Sequence, residues 1–515
     1  MTSSDRFTGT GVVPIGWAVS TLAEATQLSR ARGQPSDYGD RDFIGLEHIE
    51  AHTTRLIGCV PASTMRSSGV VFKTGDVLYG RMRPYLNKVW VADRAGLCSG
   101  EFIVFGSDGA LRGTFLKYRL NAQDFVTFAD RTTSGDRPRA DFDDLGRFPV
   151  LVPPAAEQRR IERQIDELLA DLNAGVAALE RVKRNLVRYR AAVLHAAVTG
   201  QLTTAWRERN GSPSETGAQL LQRILAERHQ RGMRERQSDW PQRGQLSSSR
   251  VVSELRSPIP VRCVEGNEPP KIPACWTWAS VEETAEVQGG IQKSPKRAPI
   301  RDHYPYLRVA NVHRGRLDLD DLHRFELSAS ELERLRLAVG DLLIVEGNGS
   351  ITEIGRSAIW QGDVNDCVHQ NHIIRVRFGR AVLPAYADAF INSPLGQLCM
   401  RKAASSTSGL HTLSVGKIKG IEFPLPPLDE QQAIVDAVSE RTSQIDTLAG
   451  SIVQESIRST RLRQAILKVA FEGRLVLQDP SDEPASVLLE RIRDAFATPC
   501  AKKPRKETVR KTAKT

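Results

Sequence analysis

Two segments of this chain recur at one fixed displacement. VPPAAEQRRI (152–161) returns as LPPLDEQQAI (425–434), and RYRAAVLHAAVTGQL (188–202) returns as RLRQAILKVAFEGRL (461–475), both displaced by 273 residues. Identities fall at Pro153/Pro426, Pro154/Pro427, Glu157/Glu430, Gln158/Gln431, Ile161/Ile434, Leu194/Leu467, Gly200/Gly473 and Leu202/Leu475. Upstream, PIGWAVSTL (14–22) is echoed by PACWTWASV (273–281), and KTGDVLYG (73–80) by AVGDLLIV (338–345). Downstream, GAQLLQRI (217–224) is echoed by ASVLLERI (485–492). One order of elements therefore occurs twice in a chain of 515 residues, which is too long for a single core.

Between each Pro-Pro pair and its closing glycine the pattern predicts one long helix. Pro-Pro enforces an extended lead-in, an acid in the first turn suits the helix dipole, and Gly200 or Gly473 ends the run. Ile165, Leu172, Leu179, Leu186 and Val193 recur every seven residues, and Ile161, Leu168, Gly175, Val182 and Tyr189 form a second row. The second copy carries Ile434, Val438, Ile445, Leu448, Ile452, Leu462, Ile466 and Val469, interrupted by Arg441, Glu455 and Ser459. About 40 helical residues would span roughly 60 Å. Two related helices in one chain can bury their stripes against each other, and an antiparallel pair is the simplest arrangement.

The stretches before each helix have the opposite texture. DFIGL, DVLYG, KVWVA, EFIVF, DLLIV and HIIRVR read as short strands between Gly, Pro and Asp punctuation, with helices near 383–393 and 395–403. The expected class is α+β: two globular domains separated by two long antiparallel coiled-coil helices, with a pseudo-twofold internal repeat. The expected parts are globular domains at 1–152 and 271–425, long helices at 153–202 and 426–475, a polar linker at 203–270 with one short helix near 217–229, and a short helix with a basic disordered tail at 476–515.

The net charge of +10 is consistent with a polyanionic partner, although residues 501–515 alone hold seven Lys or Arg against one Glu. Seven widely spaced cysteines without a C-x-x-C pair argue against a disulfide framework or structural zinc, so reduced thiols are expected. No apolar leader or long apolar run is present, and a cytoplasmic location is the expectation.

Catalytic motifs are missing. An adenine methyltransferase needs an N/D-P-P-aromatic loop, whereas the Pro-Pro pairs here are flanked by Val152 and Ala155, or by Leu425 and Leu428. No lysine has an acid two residues before it, as a common metal-dependent nuclease requires. GLHTLSVGKI (409–418) has the wrong spacing for a phosphate-binding loop, with Ile418 where the hydroxyl belongs. Asp429 and Glu430 read as a helix start, and the ten histidines as ordinary surface or core residues. The chain is expected to be no enzyme and to hold no metal.

With these features the chain resembles the specificity subunits of Type I restriction–modification systems. The resemblance covers about 12–492 and is carried by the two P-P-x-x-E-Q helix starts, the helix ends AAVTGQL and VAFEGRL, the short helix after each glycine, and LYGRMRPYLNKVWVA (78–92). It implies two target-recognition domains, double-stranded DNA as ligand, and a bipartite target with an unread spacer. It also implies two methyltransferase subunits and restriction helicase-nuclease subunits as partners. Those partners would use S-adenosylmethionine, ATP and Mg, and this chain no cofactor.

DNA readout needs Arg, Lys, Asn, Gln, Ser or Thr at base edges and further cations on phosphates. In the first domain the candidates are Arg81, Arg83, Tyr85, Asn87 and Lys88, then Thr133, Ser134, Arg137 and Arg139. In the second they are Lys293, Lys296, Arg297, Asn348, Ser350, Arg356, His369, Gln370, Asn371 and His372. STSGLHT (406–412), with Ser408 and His411, occupies the place of TTSGDRP, so Ser134 and Ser408 are expected on equivalent loops. Two other readings remain open: a coiled-coil scaffold with protein-binding end domains, and the recognition chain of a system whose methyltransferase and nuclease are fused.

Overall fold

The computed structural model describes residues 13–238 and 269–497, apart from 134, 293, 296, 297, 300, 302 and 408. It divides into two compact units, one built from two separate stretches of chain and the other from the stretch between them. One comprises the residues up to Glu180 with those from Val453 onward; the other is Arg181–Ile452. Each long helix therefore begins in one unit and ends in the other.

The two units repeat one framework. In the first, strand Ala18–Thr21 pairs antiparallel with Pro149–Val152; in the second, Thr277–Ser280 pairs with Glu422–Leu425. Each opening strand runs into a one-turn helix with a capping box: Glu24 N–H donates to Thr21 Oγ1 at 3.3 Å, and Glu283 N–H to Ser280 Oγ at 3.2 Å. Behind these lie four-stranded sheets of matching order, Gln27–Leu28, Phe102–Gly106, Val77–Gly80, Val89–Val91 in one and Ala285–Gly289, Ile373–Phe378, Leu342–Val345, Ser357–Ile359 in the other. The Gly-Asp motif is the turn before each central strand. Asp76 accepts from Lys73 N at 2.8 Å and Asp341 from Ala338 N at 2.7 Å, each after a glycine at φ +90°.

Outside this frame the units differ. The first adds a five-stranded sheet from Arg32–Gly33, Gly69–Phe72, Gly96–Cys98, Asp42–Ile44 and Val60–Pro61. The second adds a three-stranded sheet of His323–Glu326, His303–Leu307 and Val368–His369, and another of Gly347–Asn348, Leu410–Thr412 and Ser405–Thr407.

The long helices run Ala155–Val198 and Leu428–Phe471, each of 44 residues. Within each unit they pack antiparallel: Ile161, Ile165 and Leu169 share a core with Leu467 and Ala470, while Ala197 and Val198 share one with Ile434. The expected double seam is only half realised. Ile161, Ile165 and Val193 are buried, yet Leu168, Val182, Tyr189, Leu448 and Leu462 are exposed, and Leu169, Leu194 and Ala197 are buried instead. A helix of 3.6 residues per turn drifts away from a 3.5-residue repeat, so a seven-residue row leaves the contact line.

The repeated Pro-Pro-x-x-Glu-Gln motif ties helix to module. Glu157 is buried and accepts the Trp17 indole N–H at 2.9 Å; Glu430 accepts that of Trp276 at 2.7 Å. Gln158 accepts Arg112 N at 2.9 Å and donates to Ala110 and Pro153 carbonyls; Gln431 accepts Leu383 N at 2.9 Å and donates to Ala381 and Pro426. The closing glycines stack on the proline that opens each module. Gly200 (φ +78°) and Gly473 (φ +70°) would each place a Cβ 2.4 Å from Cγ of Pro273 or Pro14.

The short helices expected after each glycine sit inside these cores. Leu220 and Ile224 of helix Gly217–Ser238 are buried in the second unit, and Ala485 and Leu489 of Ala485–Ala497 in the first. Their positions match: Gly217 N–H donates to Cys275 O at 2.8 Å and Ala485 N–H to Gly16 O at 2.9 Å. The polar stretch expected as a linker with one short helix thus holds an additional helix, Thr204–Asn210, and a longer one at 217–238. The expected tail at 501–515 lies outside the described residues. Cys399 is disulfide-bonded, where the sequence predicts reduced thiols; Cys59, Cys98, Cys275 and Cys367 are free.

The two latches differ in one respect that stability measurements can read. Glu430 also accepts from Thr203 Oγ1 at 2.7 Å and pairs with Arg207, whereas Glu157 Oε1 is buried without a hydrogen-bond partner. Burial raises the Glu157 carboxyl above its ordinary value despite the Trp17 bond. The folded chain then holds that proton more tightly than the unfolded chain, so the ionised group subtracts stability at higher pH and the loss is regained as pH falls through the raised value. Glu430→Gln should cost about 2 kcal/mol in urea unfolding at neutral pH. Glu157→Gln, which keeps the Trp17 acceptor, should stay within about 1 kcal/mol of the parent and flatten the pH dependence.

Candidate nucleic-acid interface

In the first unit the candidate loop leaves the buried strand Val77–Gly80 and turns sharply before Val89–Val91. Arg83 (φ 51°) and Asn87 (φ 44°) flank the single turn Pro84–Leu86 in left-handed conformation. The neighbouring loop is held against it: His52 N–H donates to Leu86 O and Asn87 O, both at 3.2 Å, and His52 and Thr54 each have φ 63°. Four of the five non-glycine residues with positive φ among the described residues lie in these two loops. Such strain persists only where surroundings over-determine the backbone, and it concentrates at binding sites.

The side chains divide by what holds them. Arg83, Tyr85 and Arg137 are exposed, and neither arginine is paired with a carboxylate among the described residues. Arg81 pairs with Asp141, and Arg139 with Glu101. Lys88 donates Nζ to Leu46 O at 2.7 Å. Asn87 is buried, with Oδ1 unpartnered, and serves the turn. Thr133 is occupied with Asp130 O at 3.0 Å. The segments are adjacent because Arg83 N–H donates to Pro138 O at 2.8 Å and Met82 bridges to Arg139. Ser134 lies outside the described residues, next to Gly135 at φ +88°.

In the second unit Asn348, Ser350 and His411 come together. Strand Gly347–Asn348 pairs with Leu410–Thr412, setting Asn348 opposite His411, and Asn348 Oδ1 accepts Ser350 N at 2.8 Å. Gln370 and Asn371 adjoin them through Glu346 N–H, which donates to His372 O at 2.9 Å; both are partly exposed. Arg356 turns inward, donating Nε to Val312 O at 2.6 Å and Nη2 to Val309 O at 2.9 Å. His369 is fully buried, its Nδ1 2.9 Å from Ile373 O, and burial pushes the imidazole down to about 4. It stays neutral at physiological pH and is out of reach of a ligand. Lys293, Lys296, Arg297 and Ser408 lie outside the described residues; Gly409, beside Ser408, has φ +79° and matches Gly135 in the equivalent loop.

The sequence reading missed His52, Thr54, Glu101 and Asp141. Thr is unfavourable in left-handed backbone, so nothing in its identity announced the strained loop, and the acids join the arginines only through tertiary hydrogen bonds. Among the described residues no group of three or more His, Cys, Asp or Glu is placed to hold a metal ion, and no helix is long and apolar enough to cross a membrane.

No family model matches the chain. It is 28% identical over 373 residues to the Type I restriction enzyme EcoKI specificity subunit of Escherichia coli (strain K12), covering 70% of this chain and 66% of that protein. It is 26% identical over 528 residues to the Type I restriction enzyme StySPI specificity subunit of Salmonella potsdam, covering 96% and 98%. A solved chain from work on complex assembly and conformational transition of the type I R-M system shares the fold, with a TM-score of 0.57 at 16% identity, covering 90% of this chain and 99% of that one.

Arg356 and Arg83 should separate cleanly in a stability assay. Arg356→Ala strands two backbone carbonyls and should cost about 2 kcal/mol of unfolding free energy, whereas Arg83→Ala should change it by less than about 0.5 kcal/mol.

Proposed function

Because the chain belongs to the specificity subunits of Type I restriction enzymes, we propose that its loops at 81–88 and 137–139 read one half of a split double-stranded DNA target, and those at 346–350, 370–372 and 410–412 the other. The chain is a non-catalytic DNA-recognition subunit of a restriction–modification complex. The observation that carries the assignment of loops is that both units build one hydrogen-bonded frame and differ in the polar loops mounted at corresponding places. Arg83 and Arg137, exposed and unpaired among the described residues, supply phosphate contacts or base donors.

The partners are two methyltransferase subunits, one for each repeat, together with restriction helicase-nuclease subunits. S-adenosylmethionine, ATP and Mg act in those subunits. Exposed apolar residues of the two long helices support this docking. Leu168, Val453, Ile457 and Leu462 are exposed in one unit, and Val182, Val187, Tyr189 and Leu448 in the other. Exposed apolar rows on a helix are surfaces that a partner covers. Saturating coexpression should yield two methyltransferase subunits per chain by mass; a stable one-to-one complex contradicts the assignment. The purified chain alone should transfer no methyl group to DNA.

The interface is tested in the assembled methyltransferase. Arg83→Ala with Arg137→Ala should lower the salt slope of DNA binding by about two if both contact phosphates, or cost about 1–3 kcal/mol at one half-site for each that reads a base. Unchanged affinity and unchanged slope would remove these loops from the interface.

A further inference from the structure

Matching backbone hydrogen bonds identify equivalent positions in the two units. Arg81 N–H donates to Glu101 O, and Glu346 N–H to His372 O, both at 2.9 Å. Ala140 N–H donates to Arg81 O, and Leu413 N–H to Glu346 O, both at 2.8 Å. Arg81 thus stands where Glu346 stands, Glu101 where His372 stands, and the residues after Ala140 and Leu413 are Asp141 and Ser414. The backbone is held constant while the charge at its central position is reversed.

The side chains follow the reversal. Ser414 caps its helix, accepting Lys417 N at 3.3 Å. Asp141 occupies the same cap position before Phe142–Leu145 but makes no cap bond, and pairs with Arg81 instead. A capping carboxylate stabilises a helix, and an ion pair this exposed adds little to stability, so the diversion is not explained by folding. Asp141 is 66% exposed and Arg81 27%. In the second unit Glu346 lies 3.4 Å from His372.

Resting on the assignment of these loops to the DNA face, we propose that Arg81 and Asp141 together select a G·C base pair in one half-site, and that Glu346 selects an exocyclic amino group and excludes guanine at the equivalent place in the other. In the major groove guanine offers two acceptors, O6 and N7, beside the N4 amino donor of its cytosine. A guanidinium next to a carboxylate matches that edge: Arg81 donates to guanine and Asp141 accepts from cytosine. No other base pair presents acceptors and donor in that order. A carboxylate at position 346 accepts from cytosine N4 or adenine N6, and meets guanine O6 and N7 with like polarity. Glu101 is a positioning residue, holding Arg139 beside the pair.

The test is the methylation pattern written on genomic DNA by the assembled methyltransferase. Asp141→Ser copies the second unit and restores a helix cap, so it folds; Glu346→Gln keeps shape and removes charge. Asp141→Ser should reduce the preference for G·C at one position of one half-site from about 10- to 100-fold to within about threefold. It should leave the other half-site unchanged, and Glu346→Gln should relax one position of that other half-site alone. A parent motif without G·C in the half-site governed by the first unit, or unchanged base preferences in both variants, overturns the proposal. If the Arg83 and Arg137 variant still weakens DNA binding, that failure leaves the DNA face standing; if it has no effect either, the face itself is refuted.

Discussion

A buried glutamate accepting an indole N–H fastens each module to the start of its long helix. Glu157 with Trp17 and Glu430 with Trp276 sit one residue before a glutamine that both accepts a backbone N–H and donates to two carbonyls of the adjoining segments. Neither residue is exposed, so each polar group must find protein partners or carry its full desolvation cost. Moving the helix by one residue would strand all of them. The rigid placement of each module on its helix follows from this, because a packed apolar face alone tolerates sliding more readily than a set of directed hydrogen bonds.

That attachment also explains why each long helix is shared between the two compact units, and why one unit draws on both ends of the chain. The opening strand of each module meets both the first turn of one long helix and the end of the other, through the stacking of Pro14 on Gly473 and Pro273 on Gly200. A helix then docks beside it, through Leu220 and Ile224 in one unit and Ala485 and Leu489 in the other. A chain duplicated head to tail can satisfy both copies only if each long helix leaves the module it started from and finishes in the other unit.

With the frame fixed by backbone and latch bonds, the loops are free to differ. Strain supports this division of labour: the left-handed residues Arg83, Asn87, His52 and Thr54 are tolerated because flanking strands and mutual hydrogen bonds hold them. Charge is arranged in the same way. Arginines that serve folding, such as Arg356, are bonded to carbonyls, while Arg83 and Arg137 are exposed and Arg81 and Arg139 are held by carboxylates.

The sequence by itself determined the duplication, the two long helices, the α+β texture of the modules and the absence of catalytic motifs, because periodicity, Pro-Pro and closing glycines act locally. It also carried the resemblance to the specificity subunits, through the repeated Glu-Gln helix starts that form the latch. Only the tertiary structure decided which apolar row of each helix is buried, since a 3.6-residue turn drifts from a seven-residue pattern and the neighbouring helix selects the contact line. Only it decided which candidate side chains are occupied. Arg81, Arg139, Lys88 and Arg356 look alike in sequence as polar loop residues, yet their partners Asp141, Glu101, Leu46 and Val309 lie at separations from 38 to 60 residues. Contacts of that range are set by how strands are brought together, and no local pattern records them.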